Sequence, residues 1–154
     1  MSPQVQQYAS LAGRVLLSVI FLLSGITKLM QWEGTQAHMI AQGMPAGAVP
    51  VLLALATLVE IVGGLALLLG FQTRYFSLLL FLYLIPTTLI FHNFWAYQGQ
   101  AQQAQLINFL KNLAIMGGLL KFFAEGAGAI SLDAALSASR YAPAMLWPRR
   151  GRRV

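Results

Sequence analysis

Long apolar stretches alternating with short polar ones set the pattern of this chain. Leu11 to Met30, Val49 to Gly70, Tyr75 to Trp95 and Leu106 to Phe123 are each predominantly apolar over the roughly 17 to 25 residues a helix needs to cross a bilayer. They are too long for barrel strands, so the pattern predicts an all-α polytopic membrane protein. Connections as short as "FQTR" between the second and third stretches place neighbouring helices antiparallel. The expected architecture is an antiparallel four-helix transmembrane bundle forming one membrane domain over residues 1–154. Two further helices are expected outside the spans. In the loop from Gln31 to Ala48, Ala37, Met39, Ile40 and Met44 suit a short interfacial helix ended by Gly43 or Pro45. After the fourth span, "GAGAISLD" reads as a glycine turn leading into a short amphipathic C-terminal helix. Ser131 is its cap, and Leu132, Ala135 and Leu136 lie on one side.

Composition agrees with a lipid solvent. Hydrophobic residues make up 58% of the 154 positions and charged ones 9%, with mean hydropathy +0.67. A soluble domain of this size cannot bury that much apolar surface. The first span has no basic region before Arg14 and no small-residue cleavage site after it, so it reads as a retained helix rather than a signal peptide. The absence of cysteine excludes disulfides, thiolate nucleophiles and thiolate-held metals or clusters in this chain. The net charge of +6 is concentrated towards the tail, where "RRGRRV" closes residues 140–154. A basic juxtamembrane tail facing anionic headgroups accounts for it, and no nucleic-acid partner is expected.

Charge also sets an expected orientation. Arg74, Lys121, Arg140 and the tail fall on one side, Arg14 is expected to snorkel to that side, and the loops from Gln31 to Ala48 and Ala96 to Gln105 contain no Lys or Arg. The positive-inside rule then makes both termini cytoplasmic, with Trp32, Trp95 and Tyr97 at the outer interface.

The informative residues are the polar ones inside the spans. Glu60 falls about 16 Å below the start of its span, near the bilayer midplane. Lys28, His92 and Lys111 lie closer to the outer surface. Steps of three, four and seven align Ser18, Phe21, Gly25 and Lys28 on the first span, and Thr57, Glu60 and Gly64 on the second. The same steps align Thr88 with His92 on the third and Asn108, Lys111 and Asn112 on the fourth. An unpaired charge at such depth costs at least about 2.5 to 3.5 kcal/mol on insertion scales, so Glu60 and Lys111 are each expected to have a partner or to be neutral. The expectation is an outward-facing, net cationic pocket. Lys28, Lys111, Asn108 and Asn112 would bind an anion or the polar head of a lipophilic molecule, while Glu60 and His92 would relay protons. No metal site is expected, because one His and one Glu fall short of a ligand set. A purely structural ion pair of Glu60 with Lys28 or Lys111, with the asparagines bridging helices, is the competing account. Pro86 leaves the Leu82 carbonyl without its helical partner, which predicts a bend before His92.

In order and at this spacing, "FLLSGITKL", "EIVGGLALLLGFQTR", "FHNFW", "FLKNLAIMGGLL" and "GAGAISLD" resemble the DoxX family of small four-helix membrane proteins, over about residues 14 to 135. The resemblance implies a multi-pass protein of the bacterial cytoplasmic (inner) membrane. The family takes its name from a subunit of thiosulfate:quinone oxidoreductase, so it also implies a component of a membrane redox system. Such a component would bind a quinone or a sulfur anion and work with the lipid bilayer and a partner redox subunit or a second copy of itself. The family's polar positions fall on Lys28, Glu60, His92, Lys111 and Asn112. Whether the chain is itself catalytic stays open, and a non-enzymatic accessory or assembly subunit is the alternative.

Overall fold

The computed structural model describes residues 2–141. The arginine pairs of the basic tail lie outside the described residues. The elements are α1 (Pro3–Met30), α2 (Trp32–Ala41), α3 (Val49–Leu69), α4 (Thr73–Phe91), a 3-10 turn (Phe94–Ala96), α5 (Gly99–Glu125) and α6 (Leu132–Tyr141). Among the described residues there is no strand, and α1, α3, α4 and α5 are long and apolar enough to span a membrane. The protein is an all-α polytopic membrane bundle with a short C-terminal helix.

Helix ends differ from the apolar boundaries for a physical reason. Hydropathy marks the edge of lipid, whereas a helix stops only where its backbone groups find other partners. α1 therefore starts at Pro3, capped by Ser2, whose Oγ accepts from the Val5 amide at 3.4 Å. α5 likewise starts at Gly99, because the glutamine-rich "QAQQAQ" contains no helix breaker. α4 runs through Pro86 and ends at Phe91, short of Trp95, with His92 as its C-terminal cap. The expected loop helix is α2, followed by Gly43 at φ +85°. The expected C-terminal helix is α6, where Ser131 Oγ accepts from the Ala134 amide at 3.1 Å.

The four spans pair unequally. α1 packs chiefly on α3 and α4 chiefly on α5; α3 joins the two pairs through α4, while α1 and α5 meet over a much smaller area. Glycines permit the closest approaches. A Cβ at Gly64 would sit 3.0 Å from Leu22 Cγ, and one at Gly63 would sit 2.9 Å from Leu80 Cγ. Phe21, Leu67, Leu80, Leu84 and Leu119 form the central core, and Met39, Val49 and Leu53 a second one beneath α2. Leucines such as Leu16 and Leu58 remain exposed on the outer faces, as expected where lipid takes the place of water.

The α6 end of the bundle is closed by a polar latch. Arg14 is 1% exposed and does not snorkel. Its Nη1 donates to the Leu67 carbonyl at 3.4 Å and its Nη2 to the carbonyl of Ile130. Gly70 stands against it at φ +66°, where a Cβ would occupy the space of the guanidinium. The Asp133 carboxylate accepts from the backbone amides of Gln72 at 2.7 Å and Thr73 at 3.0 Å, and its own amide donates to the Gly70 carbonyl at 2.9 Å. The snorkelling expectation failed because the guanidinium finds acceptors inside the bundle: the Leu67 carbonyl, which also takes the Gly70 amide, and the Ile130 carbonyl of the "GAGAIS" turn.

Candidate functional site

At the opposite end, the close α1–α3 contact creates a polar cluster. Gly25 lets the helices approach until a Cβ there would lie 2.6 Å from Ile61 Cγ1 and 3.4 Å from Glu60 Cβ. One turn further along α1, Lys28 reaches Glu60: its Nζ lies 2.9 Å from Oε1 and 2.8 Å from Oε2. The third hydrogen of the ammonium goes to Ser24 Oγ at 2.7 Å. From α4, the Tyr83 hydroxyl donates to Glu60 Oε1 at 2.7 Å. Glu60 is 4% exposed, so these donors replace most of the water a carboxylate would otherwise require.

The cluster borders a cavity of about 930 Å³, within the size range of pockets that hold organic ligands. Its walls are mainly apolar, with Phe21, Val59, Leu84 and Ile90 among them, and Lys28, Glu60 and Tyr83 supply the polar ground. Thr35, His38 and Met39 of α2 line its far end. His38 stacks on Phe91 with ring centroids 5.7 Å apart, and Met39 packs with Val49 and Leu53.

The expected site residues separate into two groups. Lys28, Glu60, His92 and Asn112 all line the cavity. His92 Nδ1 lies 3.0 Å from Gln105 Oε1, and Asn112 Nδ2 donates to Thr88 Oγ1 at 3.0 Å, joining α5 to α4. Lys111 and Asn108 do not line it. Lys111 is exposed, about 100° round the helix from Asn112. Asn108 is half-buried and makes no side-chain hydrogen bond among the described residues. The expected net cationic wall is therefore corrected: Lys111 is elsewhere, and the charge of Lys28 is matched by Glu60. No cluster of three or more His, Asp or Glu that could hold a metal occurs among the described residues.

Tyr83 and Ser24 are the members that sequence reasoning missed. A tyrosine in mid-span carries one signal, since its hydroxyl must find a partner when buried. Ser24 lies one turn before Lys28, within reach of an (i, i+4) pair.

The DoxX family model matches residues 9–93, which include Lys28, Glu60, Tyr83 and His92 and end before α5. The chain belongs to the DoxX family. Among its curated relatives is the Inner membrane protein YphA of Escherichia coli K12, 36% identical over 124 residues, covering 80% of this chain and 86% of that protein. The Inner membrane protein YqjF of the same organism is 33% identical over 134 residues, covering 87% of this chain and 96% of that protein. A shorter match, 33% over 73 residues, links 47% of this DoxX chain to 24% of the ER-derived vesicles protein ERV29 of Saccharomyces cerevisiae. No solved structure matches it.

Proposed function

We propose that this DoxX protein is a component of a membrane redox system and holds a neutral, lipophilic carrier of the quinone class in the cavity beside Glu60. The observation that carries this reading is the adjacency of a charge-balanced polar cluster to a large apolar cavity within the membrane. A sulfur anion suits such a site less well, because Lys28 has no unmatched charge to offer and Lys111 is remote. A quinone needs hydrogen-bond donors at its carbonyl oxygens and an acceptor once it is reduced to the quinol. Ser24, Lys28 and Tyr83 can donate, and Glu60 can accept. Glu60 and His92 would exchange the protons, a role supported by both lining the cavity and by His92 having no hydrogen bond at Nε2 among the described residues. Electrons would have to pass to or from a partner redox subunit, since the chain has no cysteine and the described residues hold no group of three His, Asp or Glu for a metal. We further place the protein in the bacterial inner membrane, the location named for its two relatives. Both termini face the cytoplasm, and the α2 end of the cavity lies towards the outer face.

The test is equilibrium binding of decylubiquinone to the purified protein in nanodiscs. Wild type is expected to bind, Glu60→Gln to bind at least tenfold more weakly, and Tyr83→Phe severalfold more weakly with little change in thermal stability. Undetectable binding by wild type, or equal affinity in all three, would overturn the reading. If Glu60→Gln then lost about 3 kcal/mol of stability while binding stayed absent, the polar cluster would be a structural brace of an accessory subunit.

A further inference from the structure

The cavity is not sealed on its flanks, and its two sides differ in chemistry. On α1, Ile20, Ser24 and Thr27 line it and share the flank of Leu17. Leu17 is where α1 meets α5, at 3.1 Å from a Cβ built on Gly118. On α3, Leu52, Ala56 and Val59 line it and share the flank of Gly63, which meets Leu80 of α4. The α4 side of that second seam is Tyr83, Thr87 and Ile90, on the same flank as Leu80. Both seams are therefore closed by a small-to-large contact nearer the α6 end and part towards the α2 end. The α1–α5 seam carries three polar side chains, Ser24, Thr27 and Asn112, beside Ile20 and Leu23, which are 46% and 59% exposed. The α3 wall of the α3–α4 seam is apolar, with its lining residues Leu52 and Leu55 40% and 54% exposed on the membrane face, while the α4 wall adds Tyr83 and Thr87, whose hydroxyls are already spent on Glu60 and on the Tyr83 carbonyl. From Gly63 to Leu52 the seam is roughly 16 Å long at ~1.5 Å per residue, half of a hydrocarbon core of about 30 Å.

Resting on the quinone-class reading of the head site, we propose that the α3–α4 seam is a lateral doorway. A membrane-dissolved amphiphile with a neutral head and a hydrocarbon chain enters from the bilayer, sets its head against Glu60 and Tyr83, and leaves its chain between α3 and α4. An aqueous route is disfavoured by the packing of α2, whose Met39 is 5% exposed within the second core and whose His38 stacks on Phe91. The polarity gradient fixes the direction of the molecule. The charged and phenolic groups lie at the centre of the bundle, and hydrocarbon side chains continue from them to the lipid face without an intervening polar side chain on α3.

The chain has no cysteine, so a single introduced thiol reports one position. Ala56→Cys in the seam, Leu58→Cys on the lipid face and Ala66→Cys beyond the closed contact would each carry a bimane fluorophore. They would be reconstituted with phospholipids bearing a doxyl quencher on the acyl chain. Ile90→Cys, on the other wall of the seam, serves if the Ala56 variant fails to fold. The doorway predicts quenching in the seam at least half as strong as at Leu58, and several times that at Ala66. Seam quenching no greater than at Ala66 overturns the doorway, whether or not decylubiquinone binds. Quenching that decylubiquinone relieves in the seam but not at Leu58 supports both the doorway and the quinone-class head site. Quenching that decylubiquinone leaves unchanged keeps the doorway, with a phospholipid-like chain as its occupant, and removes the quinone.

Discussion

The two ends of the bundle use buried charge in opposite ways. At the α6 end, Arg14 donates to backbone carbonyls and Asp133 accepts from backbone amides. These partners are backbone groups at helix ends or in a turn. At the α2 end, Lys28, Glu60, Tyr83 and Ser24 bond to one another and border open volume. Side chains that bond to side chains can rotate and exchange a partner for a ligand; a side chain holding a turn together cannot leave without exposing peptide groups. On the proposed reading, the difference gives the α6 end a role in stability and the α2 end the binding site.

Replacing Arg14 should break this comparison most sharply. Arg14→Ala removes the donors to Leu67 and Ile130 and leaves the nearby Asp133 without a cation. Hydrogen bonds made by a charged group are typically worth about 1.5 to 3 kcal/mol each. Thermal unfolding in detergent is expected to show a drop of that order. Any variant protein that stays folded should bind decylubiquinone with wild-type affinity, because the change lies at the far end from the cavity. A large loss of affinity in folded protein would mean that the two ends are coupled.

Asp133 offers a smaller and more local version of the same test. Its carboxylate caps the start of α4, where Gln72 itself sits at φ 47° and leaves its own side chain unused as a cap. Loss of a capping side chain costs about 1 kcal/mol. Asp133→Ala is expected to lower stability by about that amount. Hydrogen exchange should rise at Gln72 and Thr73 while staying unchanged at Glu60 and its neighbours. Faster exchange around Glu60 would show that the latch braces the whole bundle.

Much of this was legible in the sequence. The four spans, the α2 and α6 helices and the Ser131 cap follow from hydropathy, helical spacing and cap chemistry, all local properties. The convergence of Lys28 and Glu60 was also readable, because steps of three and four put each on the core face of its helix and Gly25 marks a close approach. Two things were not legible. The side chain of Arg14 was misplaced because a lysine or arginine near the edge of an apolar span has two exits, lipid headgroups or carbonyls inside the bundle. Only the fold shows that the carbonyls of Leu67 and Ile130 come within reach. The helical phase of α5 was misjudged because Lys111 and Asn112 are adjacent, and two neighbouring residues cannot both face the same seam. Hydropathy does not say which one turns inward; the hydrogen bond from Asn112 to Thr88 decides it.

Lys111 therefore provides the finest test of the contrast between ends and faces. It lies in the same half of the bilayer as the cavity, and by charge alone it looks like the strongest anion ligand in the chain. By position it is an exposed side chain with a flexible stem, able to carry its ammonium to the headgroup layer. Substitutions at such sites usually change stability by no more than about 0.5 kcal/mol. Lys111→Met is expected to keep the wild-type melting transition to within that margin and to leave decylubiquinone binding within twofold. Asn112→Leu, one position away, should cost more, because it strands the Thr88 hydroxyl in a site that is 2% exposed. If Lys111→Met instead weakened binding tenfold, α5 would have to rotate by about a quarter turn when the ligand enters, and the polar wall of the cavity would include the lysine after all.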